Sequence, residues 1–142
     1  MQRILHVILV AWAGSLLTIC GIVAPSLFAV LPDRHVAGEV AGYFFRVEAW
    51  LGLVLGVLVC ILLALRTITW VTRLDYGLVL GAMLAPLLSE LGLRQLMSAA
   101  RSAGDMGRFG LLHGVSALLF AVACVGALLL VWRLSAPPRQ SP

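Results

Sequence analysis

Glu48, Arg108 and His113 are the residues of this chain whose types could act together: a carboxylate, a guanidinium and an imidazole, each beside a long apolar run. A carboxylate can share a proton with an imidazole, and with a guanidinium it forms a charge-assisted pair. Glu48 stands one helical turn before Gly52. Arg46, two residues earlier, projects about 200° away on a helix, so the two charges need different partners. The nearest polar groups at Glu48's depth on another apolar run are Arg108 and His113, at the start of the last one. An unpaired charge in mid-bilayer costs on the order of 2.5–3.5 kcal/mol even on insertion scales. The spacing therefore predicts a polar pocket in which Glu48 meets Arg108 or His113. The competing reading treats such charges as interfacial anchors, the role expected of Arg46, Glu90, Arg94, Trp50, Trp70 and Trp132. For His113, flanked by Gly110, Gly114 and Ser116, an internal hydrogen bond competes with ligand or proton chemistry.

The elements that must position these residues follow from composition. Of 142 residues, 62% are hydrophobic and 11% charged, where soluble domains carry about a quarter charged. Long apolar runs without alternation predict helices in a bilayer, where every backbone donor must find an internal partner. Four spans are expected, at about 4–31, 44–65, 72–93 and 109–132, forming an all-α antiparallel four-helix bundle over 1–134. Leu93, Leu96, Met97, Ala100 and Gly104 recur at helical spacing and extend the third span as an amphipathic segment, which Gly104 and Gly107 should end. "SAPPRQSP" reads as a disordered tail over 135–142.

In lipid, helices associate through close packing of small residues. Three stripes qualify: Ala11, Gly14, Thr18, Gly21 and Pro25; Ala49, Gly52 and Gly56; and Gly110, Gly114, Ala117, Ala121 and Cys124. All three are expected to face the bundle interior.

Other chemistry finds little support. Cys20, Cys60 and Cys124 have no CxxC spacing and are odd in number, which argues against a disulfide framework or zinc site and leaves them as small hydrophobes. His6 and His113 fall near opposite membrane faces and cannot both ligate one haem. No phosphate-binding loop, metalloprotease helix or nucleophile elbow occurs. No cofactor or metal is expected. The net charge of +4 is the ordinary result of basic residues flanking spans and calls for no nucleic acid. All ten basic residues are arginine in an Ala, Leu, Gly and Val-rich chain, the composition of a GC-rich bacterial coding sequence. In a bacterial inner membrane the evenly divided basic residues leave orientation to the acids, and five of the six, all except Asp75, on the side away from the termini favour both termini in the cytoplasm.

Gly21, Pro25, Phe28, Leu31 and Pro32 close the first span, Gly38 and Phe45 open the second, and "FGLLHGVSALL" opens the fourth. On these residues, with His6, the chain resembles the transmembrane-protein-205-like family, domain of unknown function 4149. The resemblance implies a four-helix integral membrane protein without a settled activity. The expected role is a non-enzymatic binding or accessory component in the lipid bilayer, partnered by a second copy or another membrane protein. A transporter of a small solute or metal, and a haem- or quinone-binding redox protein, are the alternatives.

Overall fold

The computed structural model describes residues 2–65 and 70–135, and four long helices account for nearly all of them. We label these α1 (Gln2–Val30), α2 (Arg34–Ala64), α3 (Arg73–Ser102) and α4 (Met106–Ser135). Each has 29 to 31 residues and so measures roughly 45 Å, more than the hydrocarbon core of about 30 Å. The expected tail lies outside the described residues, apart from Ser135, which still belongs to α4.

The helices run past the apolar segments because local caps, not hydropathy, set their ends. Pro32 drives Leu31 into an extended conformation (ψ 126°) and so ends α1. The Asp33 carboxylate then accepts from the backbone N–H of His35 at 2.7 Å and of Val36 at 3.4 Å, starting α2 ten residues before the expected span. At the start of α3, Asp75 Oδ2 accepts from both the backbone N–H and the hydroxyl of Thr72, each at 2.8 Å. The amphipathic segment continues α3, as anticipated, after a π-helical turn at Ser89–Leu93.

The turn into α4 is a Schellman motif. Asp105 N–H donates to Ala100 C=O at 2.9 Å and Gly104 N–H to Arg101 C=O at 3.0 Å, with Gly104 at φ +72°. Asp105 then caps α4 through the Arg108 N–H at 2.9 Å. A side chain at φ above zero costs about 1–2 kcal/mol. Gly104→Ala is therefore expected to lower the unfolding free energy by that amount. Gly77→Ala, with open space around it, should leave the melting curve unchanged.

The short turns make α1 antiparallel to α2 and α3 to α4. Packing closes the ring, α1 lying against α2 and α4, and α3 against α2 and α4. The core is built from Leu5, Leu9, Trp12 and Leu16 of α1, Val59 and Leu63 of α2, Val79 and Met83 of α3, and Phe120, Ala123, Ala127, Leu130 and Leu134 of α4. Two of the three small-residue stripes do not face it. Ala49, Gly52 and Gly56 are buried, but Ala11, Gly14, Thr18, Gly21 and Pro25 all look outward, as do Gly110, Gly114, Ala117 and Ala121, with Cys124 alone turned in. The reason is complementarity of size. The α2 glycines receive large side chains, Trp12 against Gly52 and Met83 against Gly56, and small faces on every helix would leave a hollow bundle.

Candidate functional site

Glu48 lies near the middle of α2 and is 1% exposed. It stands about 6 Å of helix inside the apolar run that begins at residue 44, at the 1.5 Å rise per residue. Its Oε1 accepts a hydrogen bond from Ser15 Oγ of α1 at 2.9 Å. The same hydroxyl lies 2.9 Å from the Trp12 carbonyl, so one proton is divided between two acceptors. The Trp12 indole N–H, aimed at the bare backbone of Gly52, has no hydrogen-bond partner. Further along α1, Cys20 faces Cys124 of α4, an oxidisable pair of sulfurs.

Arg46 takes a different partner, on α3. Its Nε is 2.9 Å from Glu90 Oε1, and Arg94 of the next turn donates to the same oxygen at 2.6 Å. Arg46, Glu90 and Arg94 thus form one bridging group; all three had been read as interfacial anchors, Glu90 and Arg94 at i,i+4 spacing, and the link to Arg46 is added by the fold. Ser89 and Ser116, 2.6 Å apart, join α3 to α4 nearby. Trp50 and Trp132 are exposed, whereas Trp70 packs on the core.

Arg108 and His113 do not join Glu48. Both are exposed. His113 stacks on Phe109 with ring centroids 6.0 Å apart and planes 9° from parallel, and the Arg101 guanidinium carbon sits over the Phe109 ring, 4.4 Å from its centroid. The buried residues of α4 begin at Phe120, which packs edge-on against Phe45 at 4.6 Å, and His113, two turns earlier on the same side of the helix, lies before that buried stretch.

A family model for a domain of unknown function, DUF4149, matches residues 7–105. The chain belongs to this family. No curated protein and no solved structure matches it. The matched segment covers most of α1 and all of α2 and α3, and so contains Ser15, Cys20, Arg46, Glu48 and Glu90; Arg108, His113 and Cys124 lie beyond it.

Three groupings were not anticipated. Cys20 and Cys124, 104 residues apart in sequence, bring their sulfurs to 3.8 Å. Asp75, 1% exposed, accepts from Arg133 Nε at 2.7 Å while Arg133 also reaches Thr72 Oγ1 at 3.2 Å. His6 places Nδ1 2.8 Å from the Gln2 carbonyl and Nε2 2.7 Å from the Leu134 carbonyl. A neutral imidazole can donate to only one of them. The only sequence signal for Asp75 was the Thr-x-x-Asp spacing of a helix cap. Roughly 30 Å of α4 separates Leu134 from His113, which keeps His6 and His113 apart. Among the described residues no three metal-ligating side chains gather.

Proposed function

We propose that this protein is a non-enzymatic accessory component of a bacterial inner membrane, with cytoplasmic termini, that works as a pair of identical chains joined through the α4 face. The transmembrane-protein-205-like resemblance fits this reading. One observation carries it: Gly110, Gly114, Ala117 and Ala121 are exposed on a helix long and apolar enough to span a bilayer, and nothing lies within 4 Å of a Cβ placed at Gly110 or Gly114. In lipid such a face lets a second backbone approach closely, gaining dispersion contacts that lipid tails do not supply as well. Leu128 continues the stripe at seven-residue spacing and lines an apolar groove with Val10, Gly14 and Leu17 of α1. That groove extends the face onto the outward stripe of α1, and a two-fold axis along α4 would present each copy with the same surface.

Gly114→Leu separates assembly from folding, because the position is open within the chain. Association measured by energy transfer between labelled chains in liposomes is expected to weaken about tenfold or more, equivalent to roughly 1.4 kcal/mol, while the thermal midpoint in detergent stays unchanged. A wild-type chain that remains monomeric across lipid dilution, or that pairs only with a different membrane protein, would overturn the second-copy reading.

A further inference from the structure

Beyond assembly, we propose that Cys20 and Cys124 form a dithiol that a membrane-soluble quinone oxidises to an intramolecular disulfide. The sulfurs are 3.8 Å apart, and a disulfide needs about 2.05 Å, so they must approach by roughly 1.8 Å. The three cysteines are all free thiols. Cys20 and Cys124 sit on α1 and α4, so the bond would tie together helices that meet across the whole length of the sequence.

The backbone at Cys20 supplies a second, independent observation. Cys20 is the second residue of the π-helical turn Ile19–Val23 within α1. Such a turn widens the helix by one residue, and π-bulges are frequent at functional sites. Here the widened turn carries the thiol that faces α4. The two thiols differ in access, Cys20 being half-buried and Cys124 buried. The site lies within the spanning segments, where a lipid-soluble oxidant has access and water-soluble oxidants do not. A quinone is a two-electron acceptor of that kind. In the reaction both S–H bonds break and one S–S bond forms. The two electrons and two protons pass to the quinone, whose carbonyl oxygens become the hydroxyls of the hydroquinone. The cysteines are oxidised and the quinone is reduced.

The full chain in liposomes, reduced and then exposed anaerobically to decyl-ubiquinone, tests this. After denaturation, alkylation and non-reducing peptide mapping, Cys20 and Cys124 are expected to be joined within one chain and Cys60 alkylated, with an equimolar amount of hydroquinone in the absorbance spectrum. Cys60→Ser should behave as wild type, and Cys124→Ser should leave the quinone oxidised. Three alkylated thiols after quinone exposure would overturn the proposal. So would a bond through Cys60 or between chains, or a Cys20–Cys124 bond formed by copper–phenanthroline under conditions where the quinone stays oxidised.

Discussion

Gly56→Leu is expected to lower the unfolding free energy by roughly 3 kcal/mol, near the upper end of typical overpacking losses. A Cβ at position 56 would lie 2.8 Å from the Met83 sulfur and 2.9 Å from both its Cβ and Cγ. Two of those atoms are close to the α3 backbone, so rotating the end of the methionine does not relieve the clash. Either α2 and α3 must separate or Met83 must leave the core, and each loses close packing that lipid cannot fully replace. Thermal unfolding in detergent, followed by circular dichroism, gives the size of the effect. Met83→Ala combined with Gly56→Leu is expected to recover most of the loss, because the new side chain then occupies the volume that Met83 vacated. Gly77→Leu, in open space, serves as the control and should melt with wild type. If Gly56→Leu also melts with wild type, the close approach of α2 to α3 is absent in solution.

The same pair of residues shows what the sequence discloses about packing. The number and type of elements were legible because four apolar runs admit no other arrangement of satisfied backbone in lipid. The α2 stripe was legible as a buried face for the reason just given. The stripes of α1 and α4 have the same spacing and face outward. A run of small residues indicates that something approaches closely, without indicating whether it belongs to the same chain. Which face turns inward was decided by bulk: Leu5, Leu9, Trp12 and Leu16 offer α1 a larger buried surface than its glycines do. Helix ends were misplaced where Asp33 caps α2, since hydropathy marks the hydrocarbon boundary and the carboxylate marks the helix boundary.

The candidate site divides along similar lines. Glu48 was conspicuous because a carboxyl inside an apolar run is costly and needs an explanation. Its partner was not, because Ser15 is an ordinary residue in a membrane helix and only the rotation of α1 brings it to Glu48. Arg108 and His113 were inferred from depth alone, and depth fixes only one of the two coordinates on a helix surface. The thiol pair spans 104 residues, so no local spacing could reveal it. Asp75 stood at a helix end, where charges are usual, and its burial under Arg133 depends on the far end of α4.

Glu48→Ala is expected to reduce stability by about 2–4 kcal/mol, through the cavity it opens and the hydrogen bond it removes from Ser15. Glu48→Leu combined with Ser15→Ala should instead match or exceed wild type. Leucine has a volume close to that of glutamate, and the pair of changes removes donor and acceptor together, so neither change leaves its partner unsatisfied. Replacing a buried polar cluster by apolar residues of similar volume is commonly neutral or stabilising, by about 1–4 kcal/mol for ion pairs. Melting temperatures of the two variants in one detergent decide the matter. If the double variant is as stable as wild type, packing does not require a carboxyl at this depth, and its presence needs a chemical explanation. If the double variant falls as far as Glu48→Ala, the hydrogen bond between Ser15 and Glu48 is what holds α1 on α2, and Glu48 is a structural residue.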